Sequence, residues 1–303
     1  MKIGPIRIST LIPVLAYFLA GQQPPPGSPQ VSIRLNVNLV QLPVTVTDSK
    51  GRPVGGLAMS AFRLFVDGVS QPLTAFNGED APVTAGIVVD NSASMATKQP
   101  VVIAAALAFA RGSNPLDQMF VVHFSDHTRL GLPADTPFTG KTSELETAVS
   151  RFELGGTTAL YDALIFAQSR FERAAYPRRV LLVITDGADN SSHATLAGAL
   201  AVAEKAGIVL YTIGAFDESD RDRNIAALTQ LADDTGGRAF FPNAVADTTK
   251  ICEEIAREIR RQYNLAFPGA EDGKYHHIQV TAQDPRYGEL RVSTRPGYFA
   301  IKP

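Results

Sequence analysis

The sequence is poor in the residues that stabilise small secreted domains and has no excess of the residues that bind nucleic acid. It contains a single cysteine in 303 residues, so no internal disulfide can form. It also contains no tryptophan. Its 28 basic and 30 acidic side chains leave a formal net charge of −2, which provides no positive field for a phosphate backbone. We therefore expect neither a disulfide-stabilised fold nor binding to nucleic acid.

Hydrophobic residues make up 45% of the sequence, which is enough to bury the core of one large domain or two ordinary ones. The single cysteine, Cys252, falls inside a helical pattern with no histidine or second cysteine close by in sequence. Such a position is typical of a small packing residue and not of a reactive thiol. The composition therefore indicates a globular protein that is stabilised by hydrophobic packing.

The first 21 residues have the pattern of a secretory signal peptide. Lys2 and Arg7 precede an apolar run over residues 8–20, which ends in small residues. The run is shorter than the ~20 residues that a spanning helix needs, and Pro13 interrupts it, so we expect no membrane span in the mature chain; an uncleaved signal anchor is the alternative. The leader predicts export to the periplasm or to the extracellular space.

Three kinds of sequence follow the leader. Residues 22–30 (QQPPPGSPQ) are rich in proline and are expected to form an extended linker. Residues 31–80 and 263–303 contain short alternating segments and tight turns, which predict β-strands. Residues 81–262 alternate apolar strands with helical stretches, which predicts an α/β domain. We interpret the two flanking segments as one small β-sandwich into whose sequence the α/β domain is inserted.

The α/β segment contains five apolar runs that are rich in β-branched or aromatic residues, which predicts a mostly parallel sheet. These runs are TAGIVVD (84–90), MFVVHFS (119–125), RVLLVITD (179–186), GIVLYTIGA (207–215) and RAFF (238–241). Helical patterns cover residues 98–112, 142–152, 159–174, 194–206, 222–235 and 246–262. Right-handed crossovers are expected to place these helices on both faces of the sheet.

Oxygen-bearing side chains occur in three segments that this topology brings to one edge of the sheet. The first strand ends in Asp90-x-Ser92-x-Ser94, whose side chains recur at alternate positions and can point to one side. Thr158 precedes a helix, and Asp186 ends another strand. Ligand sites in open α/β sheets lie beyond the carboxyl ends of the strands, so we expect these side chains to meet. Hard cations such as Mg²⁺ prefer oxygen ligands, and the pattern therefore predicts a divalent metal site.

These segments resemble the metal-ion-dependent adhesion site of the von Willebrand factor type A family, which uses Asp-x-Ser-x-Ser, a separate Thr and a separate Asp. The resemblance covers residues 82–262 and implies a doubly wound, mostly parallel, six-stranded sheet. The implied metal ligands are Asp90, Ser92, Ser94, Thr158 and Asp186. Alignment on the helix TALYDAL favours Thr158 over Thr157. Ala93 stands where many members have glycine, a difference that removes no ligand.

The resemblance implies a binding module and not an enzyme. The ion, Mg²⁺ with Mn²⁺ or Ca²⁺ as alternatives, would accept an Asp or Glu carboxylate from a partner protein. The segments VTVTDSKGRPV, VDGVSQPLTAF and RPGYFA are similar to a bacterial subgroup of exported proteins of this family. Two alternatives stay open: a hydrolase whose ion activates water, and a structural assembly component with a vestigial metal site. The hydrolase needs a general base, and no His, Glu or Lys is tied by motif to the segments that contain Asp90, Thr158 and Asp186.

Other polar residues near the predicted site have simpler interpretations. Asp189 is expected to make turn hydrogen bonds, although it could orient water near the metal. Asp126 and His127 are expected in a solvated loop that could lie on the same side as the metal. His123 is expected in the core, and the histidine pair at 276–277 lacks the companion ligands of a zinc site.

Overall fold

The computed structural model describes residues 38–151, 153–216 and 223–302. The predicted signal peptide, the proline-rich linker and residues 31–37 of the predicted β-rich segment lie outside the described residues. Within the described part, no helix is both long enough and apolar enough to cross a membrane.

Strands make up three sheets in the described part of the chain, and helices pack on one of them. The strands are β1 (Leu39–Asp48), β2 (Phe62–Val66), β3 (Val69–Gln71), β4 (Ala75–Asn77), β5 (Thr84–Asp90), β6 (Gln118–Phe124), β7 (Thr128–Leu130), β8 (Arg179–Thr185), β9 (Ile208–Gly214), β10 (Ala239–Phe240), β11 (Tyr263–Pro268), β12 (Tyr275–Ala282), β13 (Leu290–Ser293) and β14 (Gly297–Phe299). The helices are α1 (Gln99–Gly112), α2 (Thr142–Ser150), α3 (Leu160–Ser169), α4 (Leu196–Ala206), α5 (Ile225–Asp233) and α6 (Thr248–Arg260).

The central sheet has the strand order β10-β9-β8-β5-β6-β7 and is parallel except for β7, which pairs antiparallel with β6. β5 and β9 are buried along their whole length, because helices cover both faces of the sheet. Helices α1, α2 and α6 pack together, and α3 packs against α4, which contacts α5. This doubly wound, six-stranded architecture confirms the predicted fold class.

Two further sheets, each of four strands, contain strands from both flanks of the α/β segment. Their orders are β13-β1-β11-β4 and β14-β12-β2-β3, and every pairing in them is antiparallel. Residues from both sheets share one hydrophobic core, in which Leu64, Tyr263 and Phe267 are almost fully buried. The α/β domain is therefore inserted in a smaller β-sandwich, as predicted. The exact domain limits at residues 81 and 262 stay a prediction.

Gly86 lies in the middle of β5, the strand that ends in Asp90. A Cβ atom at this position would lie 2.4 Å from Cζ of Phe120 and 2.5 Å from Cδ2 of Leu181. Both side chains are themselves buried in the core, so they cannot move aside without loss of packing. The close packing of α/β core residues around β5 thus depends on the absence of a side chain at this position.

The variant Gly86→Ala should lower the free energy of unfolding by about 1–3 kcal/mol, because the added methyl group overpacks the core. Gly288→Ala is the matched control, since a Cβ there meets nothing within 4 Å. Chemical denaturation of both variants measures the difference. Equal stability of the two variants would contradict the packing described here.

Candidate metal site

The site begins at the carboxyl end of β5, where Asp90 is fully buried. One carboxylate oxygen, Oδ1, accepts a hydrogen bond from the backbone N–H of Ser92 at 2.8 Å. The other, Oδ2, accepts one from the hydroxyl of Thr185 at 2.6 Å. Thr185 in turn accepts a bond from the N–H of Gly187 at 3.0 Å. These bonds fix the orientation of the Asp90 carboxylate between β5 and β8.

The two serine hydroxyls of the first loop lie beside the carboxylate that ends β8. Ser92 Oγ and Ser94 Oγ are 3.2 Å apart, and Ser94 donates to Oδ2 of Asp186 at 2.5 Å. Ser92 and Asp186 are buried, whereas Ser94 is exposed. The loop at Ser94 therefore forms the mouth of the site, and the carboxylates form its floor.

Thr158 comes from a third segment that hydrogen bonds tie to the other two. Its N–H donates to Oδ1 of Asn190 at 2.9 Å, and its carbonyl accepts from the N–H of Asn190 at 3.0 Å. The N–H of Gly155 donates to the carbonyl of Asn91 at 3.0 Å. Thr158 is buried and Thr157 is exposed, a difference that favours Thr158 as the inward-facing residue.

The position of the site follows from the strand order. α1 leaves β5 on one face of the sheet and α4 leaves β8 on the other, so a crevice opens between these neighbouring strands. Asp90 and Asp186 lie on the two sides of that crevice. The three segments predicted to carry the metal ligands therefore meet at one place, and the metal-binding role of each residue stays a prediction.

Burial raises the pKa of Asp90 to about 6, and the nearby charge of Asp186 adds to the rise. Hydrogen bonds from Ser92 and Thr185 oppose it by stabilising the charged form. A buried carboxylate with a second carboxylate close by is under electrostatic stress that a cation would relieve. A cation between the two carboxylates would lower the cost of burying them.

The donor set fits a hard divalent cation. Oxygen ligands at ~2.1 Å from an octahedral ion lie about 3 Å from one another along the edges of the octahedron. The spacings of 2.5 Å between Ser94 and Asp186 and 3.2 Å between Ser92 and Ser94 bracket that distance. Within the described ranges, no three His, Cys, Asp or Glu side chains group together as a metal cluster. A cation here would therefore depend on hydroxyl as well as carboxylate ligands.

The neighbouring loop at the end of β6 has its own hydrogen bonds. Asp126 Oδ1 accepts from Nδ1 of His127 at 2.7 Å and from the hydroxyl of Ser125 at 3.0 Å. The side chains of Asp126 and His127 are more than half exposed, as expected for a solvated loop. This loop borders the glycine turn before Thr158, since a Cβ on Gly156 would lie 2.7 Å from Oδ1 of Asp126.

His123 and Asp189 make structural contacts. His123 is buried, donates from Nε2 to the carbonyl of Ala148 at 2.8 Å, and lies 2.9 Å from the amide of Asn91 through Nδ1. Asp189 accepts from the N–H of Ser192, which is a turn bond, while its Oδ2 is buried and unpaired.

In the β-sandwich, His276 contacts two carboxylates that the sequence pattern did not reveal. Its Nδ1 is 2.7 Å from Asp67, and its Nε2 is 3.0 Å from Asp272. These bonds raise the pKa of His276, with Asp272 as the larger cause. Within the described residues, these three side chains do not form a group that could hold a metal ion.

Two supporting residues were missed at the sequence level. Thr185 bonds Asp90, and Gln99 donates through Nε2 to the carbonyl of Asp90 and to Oδ1 of Asn91, each at 2.9 Å. Because Thr185 directly precedes Asp186 and neighbouring strands place their ends side by side, the sequence did indicate that Thr185 lies near Asp90. Gln99 lies at the start of α1 and offered no such signal.

Solved structures of low sequence identity share the fold. A von Willebrand factor type A protein from Catenulispora acidiphila has a TM-score of 0.53 at 15% identity, with 89% of this chain and 75% of that chain covered. Proximal thread matrix protein 1 from the mussel byssus, in a structure with a zinc-occupied metal-ion-dependent adhesion motif, has a TM-score of 0.51 at 17% identity. That match covers 69% of this chain and 50% of the mussel chain.

At such low identity these two structures show the fold alone. No curated protein matches the sequence significantly. The family model of the von Willebrand factor type A domain matches residues 86–256, which is more than half of the chain and contains all three metal-loop segments. The chain therefore belongs to the von Willebrand factor type A domain family.

Proposed function

We propose that this protein is a metal-dependent binding module that acts outside the cytoplasm. Asp90, Ser92, Ser94, Thr158 and Asp186 would together hold one divalent cation, Mg²⁺ or alternatively Mn²⁺ or Ca²⁺. When bound, the cation supplies an electrophilic coordination position that an Asp or Glu carboxylate of a partner protein can fill. These side chains hold the ion and leave one of its coordination positions open to solvent.

The observation that carries the proposal is the contact between two separate parts of the motif. Ser94 lies in the loop after β5 and Asp186 at the end of β8, yet their side-chain oxygens are 2.5 Å apart. Membership of the family supports the same site. In the mussel protein, the corresponding motif holds zinc, which supports occupancy by a divalent ion here.

Binding is better supported than hydrolysis by the groups around the two carboxylates. Asp90 accepts hydrogen bonds from a hydroxyl and a backbone amide, and Asp186 accepts one from the hydroxyl of Ser94. Hydroxyls and amides hold a carboxylate in place, but they cannot act as the general base that metal-assisted hydrolysis requires. We therefore propose a non-enzymatic role.

An extracytoplasmic location rests on the leader, whose pattern is that of a secretory signal. It suits the proposed chemistry, because outside the cytoplasm an exposed site of this kind could meet partner proteins of the cell surface or of the surroundings. The exposed Ser94 at the mouth provides the access that such a partner needs.

The hydroxyl of Thr185 should be required for tight metal binding, because it fixes one oxygen of Asp90. We expect the wild type to bind one Mn²⁺ per chain in calorimetric titration. Thr185→Val should weaken that affinity by about 10- to 100-fold, as for other residues that orient a ligand. Thr185→Ser, which retains the hydroxyl, should bind nearly as the wild type does. If valine and serine variants bind Mn²⁺ equally well, the hydroxyl has no such role.

Partner binding should depend on the metal. Proteins captured from the cell surface by the wild type in Mg²⁺ should be released by EDTA and should not be captured by Asp90→Ala. Because Asp90 is buried and its replacement could disturb the fold, Ser94→Ala provides a second variant at an exposed position. Circular dichroism checks both folds. Capture that persists in EDTA and in both variants would overturn the proposed function.

A further inference from the structure

One cavity lies far from the metal site, between the β-sandwich and the α/β domain. Its volume is about 700 Å³, and its walls include Arg179 at the start of β8, Glu204 near the end of α4 and Arg295 before β14. Cavities of this size are typical of sites for small molecules. It adjoins the amino end of β8, whereas Asp186 follows the carboxyl end, so about 20 Å of strand separates it from the metal site.

Polar atoms without a partner concentrate around this cavity. The described part of the chain has eleven buried side-chain polar atoms that lack a hydrogen bond. Four belong to residues that line the cavity: Nε of Arg179, Oε1 of Glu204, Oδ1 of Asn264 and Nε of Arg295. All four atoms are covered by protein and comprise two N–H donors and two oxygen acceptors, so the charge and the shape of the cavity, and not these atoms, indicate a ligand.

The walls are strongly positive. Arg178, Arg179, Lys205 and Arg295 line the cavity, and Glu204 is the single acidic residue among its described lining residues. The guanidinium groups donate to backbone carbonyls: Arg179 to that of Ala206 at 3.1 Å and Arg295 to that of Gln41 at 3.1 Å. Carbonyl partners satisfy the N–H donors but carry no net charge, so among the described lining residues only Glu204 offsets the positive charge of Arg295.

Burial disfavours the charged forms of two lining side chains. It lowers the pKa of Arg295 and raises that of Glu204, and each group partly offsets the shift of the other through its charge. Asp117 and Asp80 offset the charge of Arg178, which leaves Glu204 as the one acidic side chain among the described lining residues beside Arg179, Lys205 and Arg295. An anion would lower the electrostatic energy of these half-buried guanidinium groups.

Apolar side chains also line this cavity. Leu39, Phe299 and Ile301 line it and are 45%, 64% and 53% exposed, respectively. Large apolar side chains that stay exposed beside a charged cavity provide a surface for a hydrocarbon group. Their position next to the arginines defines a ligand with two chemically different parts.

We propose that this cavity binds an organic anion with an aliphatic body, such as a medium-chain carboxylate. The anionic head pairs with Arg179 and Arg295, and the aliphatic body packs on Leu39, Phe299 and Ile301. Both domains contribute to the walls, so the ligand joins the β-sandwich to the α/β domain. This site is separate from the metal site and does not depend on the proposed function.

Titration of the full protein with decanoate, below its micelle concentration, tests the proposal. Decyltrimethylammonium has the same tail with the opposite charge, and acetate has the same head without the tail. We expect saturable binding of decanoate and at least tenfold weaker binding of both controls. Equal binding of decanoate and decyltrimethylammonium, or no binding of decanoate, would overturn the proposal.

Variants locate the binding site. Arg179→Gln and Arg295→Gln should each weaken decanoate binding about tenfold, the effect of losing a charge-assisted hydrogen bond. Glu204→Gln should instead strengthen it, because the change removes the negative charge that repels the ligand. Arg173→Gln, at an exposed arginine outside the cavity, should leave the affinity unchanged. Arg295 also donates a hydrogen bond to the backbone carbonyl of Gln41, so Arg295→Gln could destabilise the fold. In that case Arg179→Gln and Glu204→Gln decide the outcome. Unchanged affinity in those two variants would exclude this cavity.

Discussion

The candidate site depends on one constraint: two carboxylates are buried side by side at the ends of adjacent parallel strands. Asp90 and Asp186 are almost completely removed from solvent, and their mutual repulsion adds to the cost of burial. Hydroxyls and backbone amides orient them but bring no positive charge. A cation between the loops would compensate that cost, and an ion with mostly neutral ligands would retain affinity for a further carboxylate.

Most of the architecture could be predicted because its causes are local. Apolar runs such as residues 84–90 and 179–186 match strands β5 and β8 within a residue, since a fully buried parallel strand requires a nearly continuous run of apolar residues. The short antiparallel strand β7 was not predicted, because three residues with mixed burial carry no clear periodicity. The choice of Thr158 could be made from the following helix, and the burial of Thr158 agrees with it.

Features that depend on long-range packing could not be predicted in the same way. Gln99 bonds the carbonyl of Asp90 only because α1 folds back over the end of β5. The cavity lined by Arg179 and Arg295 exists only because the β-sandwich closes over the amino ends of the parallel strands. The paired carboxylates around His276 likewise come from separate turns. Tertiary structure alone brings these residues together.

A crystal structure of the protein grown with Mn²⁺, with data collected at the manganese absorption edge, tests the central claim most directly. The account predicts one anomalous peak per chain, enclosed by the side-chain oxygens of Ser92, Ser94 and Asp186, with Asp90 and Thr158 completing the surrounding group. An ordered site without a peak, or a manganese ion bound elsewhere on the chain, would contradict it.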